Sequence, residues 1–74
     1  MDRPLYVHAI WDDAAQVWVA TSDEVPGLAT EAATAEDLVA KLKLLIPELL
    51  EANGILPASQ VAFELLTRRF EVAA

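Results

Sequence analysis

The residue pattern predicts an α+β domain: a two-layer β-β-β-α-β fold with one amphipathic helix on a small mixed sheet of strand order 3-2-1-4. Three observations predict it. Two runs of branched and aromatic residues alternate on either side of a short acidic connection. A Pro-Gly break is followed by a short strand and a helix-capping threonine. One long stripe with helical spacing then leads into a last strand-like run.

The first run, LYVHAIW at residues 5–11, sets Leu5, Val7, Ala9 and Trp11 in one phase and Tyr6, His8 and Ile10 in the other. Both faces of this strand therefore carry apolar groups. Asp12, Asp13, Ala14 and Ala15 supply a turn, because aspartate side chains can bond the backbone just ahead of them. The second run, QVWVATS at residues 16–22, should return antiparallel to the first. Pro26 cannot donate to a ladder and Gly27 accepts positive φ, so the pair predicts a type II turn and a third strand at about Leu28 to Glu31.

Thr34 is placed to cap a helix whose first turn carries Glu36 and Asp37, where acids complement the helix dipole. Apolar residues at 38, 39, 42, 45, 46, 49 and 50 fall on one broad face, which must lie on the sheet. Pro47 lands opposite that face and should bend the helix, and Asn53-Gly54 reads as its C-terminal cap. After a loop containing Pro57, residues 60–72 alternate Val61, Phe63 and Leu65 before shifting phase to Phe70 and Val72. A long fourth strand with a bulge near Leu66 to Arg69 would account for the slip. A right-handed crossover through the helix returns this strand parallel to the first.

Composition bounds the function. A chain of 74 residues forms one domain, 1–74, and buries only about 60% of its unfolded surface. With no cysteine, neither disulfides nor thiolate metal sites can reinforce it. Its 55% hydrophobic content argues against disorder and for a homo-oligomer, a dimer or higher, through the edge of the fourth strand. Val61, Phe63, Leu65 and Phe70 are the residues expected to associate. Twelve acids against five bases leave a net charge of −7, which disfavours direct binding to nucleic acid and favours a basic protein partner. No apolar run is long enough to span a membrane, and Met1 opens onto Asp2-Arg3-Pro4 rather than a secretory leader, so a cytoplasmic location is expected.

Chemistry is thinly represented. His8 is the only histidine and, without cysteine or a second histidine, can assemble neither a Cys-His pair nor a common zinc set. Asp12, Asp13, Asp23 and Glu24 invite a two-metal reading, but they lie in turn-like sequence where acids serve the backbone. Ser22 and Ser59 lack a nucleophile elbow, and no glycine-rich loop precedes a helix. Arg68 and Arg69, as strand neighbours, point to opposite faces and make no patch with Lys41 and Lys43. No catalytic residue, cofactor site or metal site is assigned, and no enzyme activity is expected. Trp11 and Trp18, on neighbouring strands, suit either the core or an interface. Leu44, off the buried stripe, is a second candidate for an interface.

The stretch from strand through acidic turn, Pro-Gly-Leu and Thr-Glu to a capped helix resembles the HicB-like antitoxin superfamily. The likeness is closer to its branch known as domain of unknown function 1902, with a pattern W-D-x-x-A-x-V-W-x-A-T-S-D-x-V-P-G-L. Trp11, Asp12, Ala15, Val17, Trp18, Ala20, Thr21, Ser22, Asp23, Val25, Pro26, Gly27 and Leu28 carry it, and Pro47 to Leu50 with Asn53-Gly54 continue it. The resemblance covers residues 5–54 and implies a truncated RNase H-like core that binds and blocks a small basic RNA-cleaving toxin. Trp11, Trp18, Asp12, Asp13, Asp23, Glu24 and Leu44 are then the expected partner-binding residues. Two departures stand out. Ala32 replaces a glycine common after Thr-Glu, and the last 20 residues leave no room for the DNA-binding domain that HicB antitoxins commonly carry. A free-standing homo-oligomeric structural or regulatory protein without a toxin is the alternative. A sensor of a small molecule or metal has no motif behind it.

Overall fold

The computed structural model describes residues 3–55 and 60–74. Its elements run β1 (Leu5–Asp12), β2 (Val17–Thr21), β3 (Ala29–Ala32), α1 (Ala35–Ala52) and β4 (Phe63–Arg68). They form one four-stranded sheet in the order β3-β2-β1-β4, with β4 parallel to β1 and the other neighbours antiparallel. The order and the β-β-β-α-β sequence are those the residue pattern predicts. The loop expected around Pro57, and Ser59 with it, lie outside the described residues.

The hairpin turns one residue later than expected. Asp12 stays in the ladder opposite Val17, and Gln16 adopts φ 58° to close the loop. Two contacts hold it there: the Ala15 N–H donates to Asp12 Oδ1 (3.2 Å) and the Gln16 N–H to the Asp12 carbonyl (2.7 Å). β3 is likewise displaced by one residue, because Leu28 is buried in the core instead of opening the strand. The turn before it is as predicted, with Gly27 at φ 84° and the Leu28 N–H on the Val25 carbonyl at 3.1 Å.

The helix has the expected caps. Thr34 accepts from the Asp37 N–H at 3.0 Å. At the other end Gly54 takes φ 78°, its N–H bonds the Glu51 carbonyl, and the Ile55 N–H bonds the Leu50 carbonyl at 2.8 Å, a Schellman arrangement. The helix runs through Pro47, which is exposed, without interruption.

Leu38, Leu42, Ile46 and Leu50 are buried along the helix, and Val39, Leu45 and Leu49 flank them half-buried. They meet Val7, Ala9, Ala20, Val25, Leu28 and Ala32. Ala9 and Ala20 are direct partners across β1 and β2, so the sheet presents small side chains where the helix leucines enter. The helix lies nearest β3 and β2. The Lys41 ammonium donates to the Glu31 carbonyl (2.6 Å), and the Asn53 amide to the Pro26 carbonyl (3.3 Å), fastening the second turn of the helix to β3 and its C-cap to the turn before β3.

The bulge expected in the fourth strand is absent. Pairing runs unbroken from Leu5 opposite Phe63 to Ile10 opposite Arg68, and the ladder then stops. The phase slip marks the end of the strand: beyond Arg68 the chain has no ladder partner, and Phe70 and Val72 are exposed.

Candidate functional site

The sheet has two faces, and α1 covers only one. The register places Tyr6, His8 and Ile10 of β1 beside Val17, Val19 and Thr21 of β2 on the opposite face. Ala29 and Glu31 of β3 and Glu64, Leu66 and Arg68 of β4 complete it. Tyr6 (37%), Ile10 (57%) and Leu66 (39%) are exposed there, with Val17 and Val19 half-buried on β2 beside β1. These apolar groups surround exposed His8, and the carboxylates of Asp12, Glu31 and Glu64, with the Arg68 guanidinium beside Ile10, edge them.

The residues that the sequence nominates for partner binding fall on three separate surfaces. Trp11 and Trp18 are both half-buried on the helix side of the sheet, at its hairpin-turn end, with ring centroids 5.2 Å apart and planes at 63°. The Arg69 guanidinium lies 4.3 Å from the Trp11 ring centroid, and the Trp11 indole N–H donates to Asp13 Oδ1 at 3.2 Å. Asp12 and Asp13 share that end. Asp23 and Glu24 follow β2 at the far end of the hairpin, and Leu44, 73% exposed, stands on the outer side of the helix. Among the residues expected to self-associate, Val61, Phe63 and Leu65 pack half-buried against the edge of the core, and Phe70 is free of it.

Glu24 is structural. Its carboxylate accepts from the Tyr6 N–H at 2.7 Å and pairs with the Arg3 guanidinium. The Arg3 hydrogen bond, and then that from Tyr6, hold its pKa down at about 2. Ser22 works beside it, donating to the Tyr6 carbonyl (2.7 Å) and accepting from the Glu24 N–H (3.1 Å). This lock was missed because its partners are 18 and 21 residues apart and no local motif joins them. The open sheet face was half legible: alternation marked both phases of β1 as apolar, but only the register shows which phase the helix leaves uncovered.

Among the described residues no group of three acids or histidines is gathered to hold a metal, and no helix is long and apolar enough to cross a membrane. An open hollow of about 260 Å³ beside Ala35, Glu36 and Val39 has no convergent polar groups.

A family model described as a domain of unknown function (DUF1902) matches residues 4–73. The chain belongs to the DUF1902 family. None of the curated proteins matches it. Among solved structures, this DUF1902 domain is similar to a hypothetical protein, TTHA1013, from the extremely thermophilic bacterium Thermus thermophilus. The two are 53% identical, with a TM-score of 0.73 over 97% of this chain and 99% of the other. Both comparisons take in β4 and the segment after it, beyond the part that carries the motif resemblance.

Proposed function

We propose that this DUF1902 domain is a non-enzymatic protein-binding module that covers a basic partner with its open sheet face. The carrying observation is that face itself: Tyr6, Ile10, Val17, Val19 and Leu66 form an apolar patch around His8, with three acids, Asp12, Glu31 and Glu64, and one cation, Arg68, at its margin. An apolar patch rimmed by charge suits protein contact, where the centre excludes water and the rim selects and steers the partner. A net charge of −7 directs that selection to basic proteins. The resemblance to HicB-like antitoxins supplies a partner class, a small basic RNA-cleaving toxin held inactive by being covered.

The test is purification of the tagged chain from its native host, followed by an RNA-cleavage assay on any stoichiometric partner. Suppression of cleavage by the wild-type chain, lost on Ile10→Lys with the fold intact by circular dichroism, supports the reading. Recovery of no basic partner under native expression, or suppression untouched by Ile10→Lys, overturns it.

A further inference from the structure

The sheet ends on one side in β4, whose outer edge has no strand beside it among the described residues. The Leu5 N–H bonds the Ala62 carbonyl at 2.9 Å, so the even residues of this segment turn their backbone groups toward β1. By alternation Phe63, Leu65 and Thr67 point theirs outward, unpaired by the sheet. The opposite edge, β3, is shorter and lies under the helix. Beyond Arg68 the chain adds Phe70 and Val72, 86% and 77% exposed, in the phase of Leu66 and Arg68. Such an edge is a template for another strand.

We propose that the occupant is β4 of a second copy, paired antiparallel about a two-fold axis through Leu66. The charges of the strand select both the partner and the register. Side chains directly opposite must share a face, and on the outer face β4 carries Glu64, Leu66 and Arg68. Centring the axis on Glu64 or on Arg68 sets like charges against each other. Centring it on Leu65 or Thr67 sets both charged residues against apolar ones. Centring it on Leu66 places Glu64 opposite the second copy's Arg68, and Arg68 opposite its Glu64, on either side of a Leu66 pair. Among the described residues neither Glu64 nor Arg68 has an ion-pair partner within the chain.

The backbone agrees with that register. Leu65 faces Thr67 of the copy, both of them edge residues with outward N–H and C=O groups, so these become the hydrogen-bonded pairs, and Phe63 comes opposite Arg69, the residue just past the end of β4. The Leu66 pair is then a non-hydrogen-bonded one, whose side chains stand closest. Phe70 comes opposite Ala62, a small residue that leaves room for its ring. The result is a continuous eight-stranded sheet with both helices on one side. This goes beyond the partner-binding role: the dimer shares Glu64 and Leu66 with the open sheet face and leaves Tyr6, Ile10, Val17 and Val19 free.

The purified chain alone provides the test, so its outcome is separate from whether any hetero-partner exists. The natural sequence has no cysteine, so Leu66→Cys introduces a single thiol. At a non-hydrogen-bonded pair, with Cα atoms about 4.5 Å apart, it forms a disulfide-linked dimer on mild oxidation. Thr67→Cys, offset from its own copy by a diagonal step of about 7–8 Å, does not. In sedimentation equilibrium, Glu64→Arg or Arg68→Glu alone weakens the dimer roughly tenfold or more, and the double exchange restores it. A wild-type chain that is monomeric at about 100 μM overturns the proposal. So does cross-linking of Thr67→Cys as fast as Leu66→Cys, or a folded double exchange that fails to recover the dimer.

Discussion

Trp18 stands edge-on to Trp11 across the β1–β2 ladder, their ring centroids 5.2 Å apart, and the pair closes the end of the sheet on its helix side. Each ring is half-buried, so neither is a plug for the core nor a free surface group. Their contact should show as a coupling of about 0.5–1.5 kcal/mol in a cycle of Trp11→Ala, Trp18→Ala and the double variant, measured by urea unfolding. Additive losses would mean that each ring packs independently.

The helix separates its leucines sharply. Leu42 is fully buried in the core between helix and sheet, and Leu44, two residues on, is 73% exposed. Leu42→Ala should cost about 2–5 kcal/mol, because the rigid β-layer beneath cannot collapse into the space left. Leu44→Ser should stay within about 0.5 kcal/mol of wild type by the same unfolding assay. A large loss at Leu44 would reveal burial in a partner or a second copy.

These contrasts track what could be read in the residues. The stripe from Leu38 to Leu50, the Thr34 cap and the Gly54 turn are local signals, and each appears where its spacing places it. The strand boundaries moved by one residue at Asp12 and Leu28, where turn hydrogen bonding and burial outweighed alternation. The supposed bulge near Leu66 was the end of a ladder: β1 continues through Trp11 and Asp12, but β4 leaves it after Arg68, and alternation within β4 does not mark where it departs from its neighbour. The nominated site was scattered for the same reason: Trp11, Glu24 and Leu44 were grouped by residue type, and only the three-dimensional register tells which surface each occupies.

Both helix termini are fixed by single residues. Thr34→Ala removes the acceptor of the Asp37 N–H and should lower stability by about 1 kcal/mol. Gly54→Ala should cost a similar amount, about 1 kcal/mol, although nothing lies within 4 Å of the added methyl. There the loss comes from the positive φ of 78° alone, so Gly54→Asn should recover part of it. Thermal melts of the three variants test the order, and an unchanged Gly54→Ala would mean that the Schellman turn does not hold the helix end in solution.

Glu24 ties the start of β1 to the loop after β2, and its folded pKa of about 2 lies below the ordinary 4.5. A lowered carboxyl pKa means that the unfolded chain binds the proton more readily than the folded one. Its contribution is therefore complete above pH 4.5 and is lost as the pH falls toward about 2. Glu24→Gln removes this titrating group, so the difference in stability between wild type and variant should be constant at neutral pH and shrink across that acid window. Urea midpoints taken at pH 7, 4.5, 3 and about 2 would read it directly. A difference that persists unchanged to the lowest pH would show that the Arg3 and Tyr6 contacts do not depend on the carboxylate charge.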